Sequence, residues 1–90
     1  MKITTKFSFN PREEHLETQS TTLGGLLDEL SHKYSVKEVE FFDNDRGEIC
    51  FDCDVILNGQ SFQILPDGLD TKLRDSDRVE IIKLSILQGG

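Results

Sequence analysis

Asp75-Ser-Asp-Arg-Val-Glu-Ile-Ile-Lys-Leu-Ser-Ile-Leu-Gln-Gly-Gly90 closes the chain, and its reading decides the fold. Asp75-Ser76-Asp77 is a turn whose carboxylates suit capping of backbone N–H groups ahead of a strand. Val79 to Ile86 has strand character with mixed alternation. Val79 and Ile81 suit a core face, whereas Ile82, Leu84, Ile86 and Leu87 supply apolar groups in the other phase. Two readings are open at this point: a bulge that shifts the pleat, or an apolar patch left open for a partner. The tail is expected to leave the sheet edge directly, with nothing after it to fold back.

Working outward, the opening segment alternates cleanly. Ile3, Thr5, Phe7 and Phe9 point one way and Lys2, Thr4, Lys6 and Ser8 the other, the pattern of a half-buried strand. Asn10-Pro11-Arg12 is expected to break it, and His15 to Ser20 to return as the second arm of a hairpin. Thr21-Thr22 offers an N-cap before Leu23, Leu26, Leu27, Leu30 and Tyr34, one apolar stripe on a helix of about three turns. Gly24-Gly25 weakens the first turn and can allow close packing on the sheet. Neither a P-loop lysine nor a dinucleotide pattern accompanies these glycines.

Ser35 to Phe42 reads as irregular, Asp43-Asn44-Asp45-Arg46-Gly47 as a polar turn, and Glu48 to Leu57 as a strand. Asn58-Gly59 signals a tight hairpin, with Phe62, Ile64 and Leu65 as the short partner strand. Pro66-Asp67-Gly68 turns the chain again, and Leu69 and Leu73 are expected to plug the base of the core. A hairpin, a helix, further strands and a final strand predict an α+β fold: a mixed sheet with one main helix across one face. The first strand sits centrally beside the last, in parallel, a pairing that the long crossover between them permits.

Ninety residues make one domain, with room for one sheet face under one helix but not for a deep cleft. Seventeen acids against ten bases give a formal charge of −7, which repels phosphate backbones and argues against nucleic-acid binding. The same charge speeds encounter with basic proteins, or merely keeps a small protein soluble. Met1-Lys2-Ile3 runs straight into a strand without the apolar core of a signal peptide, and no apolar run approaches membrane-spanning length. Two cysteines do not make a secreted disulfide framework. The expectation is a cytoplasmic protein with reduced thiols and no membrane attachment.

Asp54-Val-Ile-Leu-Asn-Gly59, Leu69-Asp-Thr-Lys-Leu-Arg-Asp-Ser-Asp-Arg-Val-Glu-Ile81 and the terminal Gly89-Gly90, together with Thr22-Leu-Gly-Gly-Leu-Leu-Asp-Glu-Leu30, resemble the MoaD/ThiS family of ubiquitin-like sulfur carriers, most closely its longer MoaD-like members. The likeness spans nearly the whole chain. Ser76 stands where the family pattern has glycine between two acids, and Ser85-Ile-Leu-Gln88 lacks the small or proline-containing approach to the tail.

The resemblance implies a β-grasp (ubiquitin-like) domain over residues 1–85 and a flexible tail over 86–90. It implies a carrier rather than an enzyme, with no catalytic residues and no cofactor of its own. An E1-like adenylyltransferase would use ATP to adenylate the Gly90 carboxylate. A sulfurtransferase or sulfide source would convert it to a thiocarboxylate. An acceptor synthase subunit would take the sulfur for molybdopterin or tungstopterin, thiamine or cysteine biosynthesis. Ile82, Leu84, Ile86, Leu87 and Gln88 would meet these partners. Fully extended, residues 86–90 span at most ~17 Å, which suits a narrow channel. Glycine at 89 and 90 removes both Cβ atoms beside the carbonyl under attack. Two alternatives use the same residues: a ubiquitin-like modifier conjugated to lysines through Gly90, and an interaction subunit that docks through Ile82, Leu84 and Ile86.

Competing constellations carry less. Cys50-Phe-Asp-Cys53 reads as part of a strand, where an offset of three puts the thiols on opposite faces, and no second cysteine pair completes a zinc site. The Asp43–Gly47 turn departs from a calcium loop, its glycine one position early and Asp54 at the twelfth position. His15 and His32 stand apart, with no triad pattern, and Asp75 and Asp77 read as caps rather than as paired catalytic acids.

Overall fold

The computed structural model describes residues 1–8, 10–33 and 41–83, with the backbone alone at residues 10 and 11. In chain order the elements are β1 (Lys2–Phe7), β2 (Asn10–Glu17), α1 (Leu23–Lys33), β3 (Phe42–Asp43), β4 (Glu48–Ile49), β5 (Cys53–Leu57), β6 (Gln60–Ser61) and β7 (Arg78–Lys83). Two short 3-10 helices, Phe62–Ile64 and Gly68–Asp70, lie between β6 and β7. Five strands form one sheet in the order β2-β1-β7-β5-β6, and β3 and β4 form a separate pair. At its centre β1 and β7 run parallel, from Thr4 opposite Arg78 to Phe7 opposite Ile81. Both outer neighbours, β2 on β1 and β5 on β7, are antiparallel. This is the expected mixed sheet of a β-grasp fold.

The alternation of β1 is realised, with Ile3, Thr5 and Phe7 buried; Phe9 lies outside the described residues. Their partners on the same face are Val55 and Leu57 of β5 and Val79 and Ile81 of β7. Over them lies the stripe of α1, where Leu23, Leu26, Leu27 and Leu30 have no exposed surface; Tyr34 is again outside the described residues. Thr22 caps the helix, its Oγ1 accepting the Gly25 N–H at 3.1 Å. Thr18 and Ser20 hydroxyls both donate to Glu29, fastening the β2–α1 connection to the helix. Leu73 is buried and Leu69 packs partly buried against the core, as expected of the plug.

Several local expectations are corrected. A Cβ on Gly24 would meet the Leu69 carbonyl oxygen at 3.2 Å and the Leu69 Cβ at 3.3 Å, so the close approach that Gly24 allows is to the 3-10 segment rather than to the sheet. The second strand begins at Asn10, not His15. Its ladder slips between Lys6, opposite Glu13, and Phe7, opposite Asn10, leaving Pro11 and Arg12 as extra residues. An edge strand tolerates proline because one side of it needs no ladder donor. The expected strand from Glu48 to Leu57 is divided by a turn at Phe51-Asp52, closed by the Cys53 N–H donating to the Cys50 carbonyl at 3.0 Å. The Asn58-Gly59 hairpin forms, with positive φ at both residues, but its second arm is Gln60–Ser61. Phe62–Ile64 coils because Ser61 Oγ accepts the Gln63 N–H at 3.2 Å.

The entry to β7 is knotted by short-range hydrogen bonds. Asp77 accepts from Arg74 N–H at 2.7 Å and from Asn58 Nδ2 at 2.9 Å, while Asn58 Oδ1 accepts the Arg78 N–H at 2.9 Å. Asp75 accepts the Lys2 N–H at 2.7 Å, and the Lys2 carbonyl accepts the Ser76 N–H at 2.7 Å. Both acids therefore cap backbone groups, and they join the start of β1, the β5–β6 hairpin and the start of β7. Ser76 has φ of 75° at the third position of the Arg74–Asp77 turn. That is the region where a side chain is strained and where glycine is at ease.

Two stability changes of opposite sign follow. Ser76→Gly should stabilise the fold by about 1 kcal/mol through relief of left-handed strain. Leu27→Ala should cost about 2–5 kcal/mol by opening a cavity under the helix. Urea unfolding of both variants checks the pair of signs.

Candidate functional site: the root of the C-terminal tail

Of the residues expected to meet partners, the described structure contains Ile82; Leu84, Ile86, Leu87, Gln88, Gly89 and Gly90 lie outside the described residues, as does the 85/86 boundary. Ile82 lies opposite Asp54, half-exposed on the sheet face away from the core. The β5–β7 ladder runs without a slip from Leu57 opposite Val79 to Cys53 opposite Lys83. No bulge therefore interrupts β7 as far as Lys83, and Ile82 is apolar surface rather than shifted core. The same outer face carries an Arg78–Glu13 ion pair reaching across β1, with both side chains partly exposed. The Arg78 hydrogen bond holds the Glu13 carboxyl below its usual range.

Lys83, where β7 ends, is held by two turns at once. Its N–H donates to Ser8 Oγ at 3.0 Å, and the Ser8 N–H donates to the Ile81 carbonyl at 2.9 Å. Its Nζ lies 2.9 Å from Asp52 Oδ2, with the two side chains only 13% and 15% exposed. Burial pulls the Lys83 ammonium down, but the hydrogen bond it donates to Asp52, with Cys53, Asp52 and Cys50 close by, outweighs that and holds it above its usual range. The root of the tail is thereby clamped between the β1–β2 turn and the Cys50–Cys53 turn.

The cysteine pair sits on that second turn and not within one strand. Cys53 opens β5 with its thiol buried, and Cys50 lies before the turn, partly exposed. Burial pushes the Cys53 thiol up to about 12, so it stays protonated at neutral pH and is a poor nucleophile. Asp43, the first acid of the calcium-like stretch, turns its Oδ1 to the N–H groups of Asp45 and Arg46 at 3.0 and 3.2 Å. Asn44 donates to Asp28 and Ser31, tying this turn to α1. Among the described residues no three His, Cys, Asp or Glu side chains gather as metal ligands. His15 meets Thr4 Oγ1 at 3.1 Å and His32 lies 3.7 Å from Asp28, both at the surface. No helix among the described residues is long and apolar enough to cross a membrane.

Sequence reasoning missed the Asp52–Lys83 pair and the exposure of Phe51 between them and Cys50. Reading Glu48 to Leu57 as one strand hid the turn that throws Phe51 outward. The alternation gave no signal, because Ile49, Phe51, Cys53, Val55 and Leu57 keep one phase through the turn, with Asp52 and Asp54 in the other.

The profile of the ThiS family matches residues 3–90. Small archaeal modifier protein 1 from Methanosarcina acetivorans superposes with a TM-score of 0.69 at 27% identity, over 91% of this chain and 91% of that one. Urm1 from Trypanosoma brucei gives 0.67 at 24% identity, over 91% and 90%. A chain of the BexX/CysO complex from Amycolatopsis orientalis gives 0.66 at 15% identity, over 90% and 93%. No curated protein matches the chain at a significant level. The last two likenesses speak to the fold, and the match over residues 3–90 to the lineage: the chain belongs to the ThiS family of small ubiquitin-like proteins.

Proposed function

We propose that this protein is a sulfur carrier whose working group is the carboxylate of Gly90. The observation that carries the reading is the family match through residue 90, which includes Gly89-Gly90, on a fold whose central strand ends clamped at Lys83. Residues 84–90 follow that clamp, a length of at most ~24 Å when extended. A rigid body with a short terminal reach suits delivery of a carboxylate into another protein's nucleotide site.

The chemistry divides between the chain and its partners. A carboxylate oxygen is a poor leaving group, so an adenylyltransferase joins it to the α-phosphate of ATP and releases pyrophosphate. Sulfide then attacks the acyl carbon and expels AMP, leaving a thiocarboxylate at Gly90. At an acceptor enzyme the thiocarboxylate sulfur attacks the substrate carbon to form a thioester, and water then cleaves the acyl–sulfur bond, leaving the sulfur on the substrate and the carboxylate on the chain. The chain contributes an unhindered acyl carbon, since neither Gly89 nor Gly90 has a Cβ. Its buried, protonated Cys53 does not compete as a nucleophile for the activated end. Molybdopterin or tungstopterin, thiamine and cysteine synthesis are the routes that would draw on such a group.

A second reading shares the activation step. The likeness to a small archaeal modifier protein favours a role in which a lysine amine, rather than sulfide, attacks the adenylate and forms an isopeptide bond through Gly90. Gly90 linked to lysine side chains in digests of cell extract would establish that role beside the carrier role.

Incubation with the cognate adenylyltransferase, ATP and sulfide should add to Gly90 the mass difference between sulfur and oxygen. No gain under these conditions overturns the carrier reading. Deletion of Gly90 should abolish loading while leaving the urea midpoint unchanged, because Gly90 lies seven residues beyond the clamp at Lys83. Loading that survives the deletion would place the chemistry elsewhere.

A further inference from the structure

Among the described residues Met1, Phe51 and Ile64 are the exposed large apolar side chains, and Phe51 is 100% exposed. A phenylalanine kept wholly in water gains nothing from hydrophobic burial, so Phe51 adds none to this fold. Its surroundings explain the exposure. In the turn from Cys50 to Cys53, Cys53 points into the core, Cys50 packs partly against it, and Asp52 reaches Lys83. Phe51 is the member directed to solvent.

That turn is fixed to the root of the tail. Cys53 lies opposite Lys83 in the ladder, and the Asp52 carboxylate grips the Lys83 ammonium at 2.9 Å. Phe51 therefore stands two residues from Cys53, the strand position that faces Lys83. A protein that draws Gly90 into a nucleotide site within ~24 Å of Lys83 must cover the surface around that root. Aromatic side chains are enriched where such contacts concentrate binding energy.

We propose that Phe51 is the anchor by which the tail-activating adenylyltransferase holds this chain, and that the Asp52–Lys83 ion pair is a positioning pair that fixes the anchor relative to the tail. The inference rests on the carrier reading above and adds the docking surface to it. An adenylyltransferase is the occupant because its nucleotide site must receive Gly90, which lies seven residues beyond Lys83 and so within ~24 Å of it. The chain's charge of −7 suits a basic rim around an apolar pocket for Phe51.

ATP–pyrophosphate exchange with this chain as the varied substrate tests the proposal. Phe51→Ala should raise KM for the chain about ten- to thirtyfold with kcat unchanged, and its unfolding midpoint should match wild type. Asp52→Asn should raise KM in the same direction with kcat unchanged, and should add little to Phe51→Ala in the double variant, whereas fully additive effects overturn the positioning role. Wild-type exchange with an unchanged KM for Phe51→Ala overturns this inference alone. A Phe51→Ala defect confined to sulfur transfer onto an acceptor enzyme also overturns it, reassigning the anchor to that enzyme. Wild type that supports no exchange overturns the carrier reading itself.

Discussion

Everything in the molecule depends on the parallel pairing of β1 with β7 at the centre of the sheet. Parallel neighbours cannot be joined by a tight turn, so the chain between them must travel away and return. Here that journey includes the helix, two small strand pairs and the 3-10 segments, and it lays α1 over the face on which Ile3, Phe7, Val79 and Ile81 are buried. The last strand is thus flanked on both sides, by β1 and β5, rather than left on an edge. A strand in that position frays only if the sheet opens, which makes its C-terminal end a firm mounting point.

The two ends of β7 are secured by different means. At its start, Asp75, Asp77 and Asn58 spend their side chains on backbone N–H groups of β1, the Arg74 turn and β7 itself. At its finish, Ser8 and Asp52 hold Lys83 from two separate turns. The arrangement accepts some strain for this, since Ser76 occupies a left-handed backbone position for which glycine is better suited. Acids outnumber bases seventeen to ten, yet several of them act locally as acceptors, so the net charge alone understates how much of it is structural.

The global architecture was legible because it rests on long periodic signals. Leu23, Leu26, Leu27 and Leu30 mark a helix, Ile3, Thr5 and Phe7 mark a half-buried strand, and Asn58-Gly59 marks a hairpin; each is a local preference that packing reinforces. The errors fall where one or two hydrogen bonds decide. Ser61 turns Phe62–Ile64 into a coil instead of a strand, and the Cys50–Cys53 turn divides what composition presents as one strand. The Asp52–Lys83 contact joins residues 31 positions apart (83 − 52) and has no periodic signature, so no reading of spacing predicts it. Of the candidate site, the terminal Gly89-Gly90 and the family likeness were legible in the sequence, while the clamp at Lys83 was not.

The central claim is that a clamped body presents a terminal glycine carboxylate that cells convert to a sulfur-bearing acyl group. Top-down mass spectrometry of the chain isolated from its own cells under sulfur-replete growth tests this most directly. The account predicts a fraction of molecules whose C-terminal fragment ends at Gly90 with sulfur in place of one oxygen. A population ending only in the plain carboxylate, or one whose polypeptide runs on past Gly90, contradicts it.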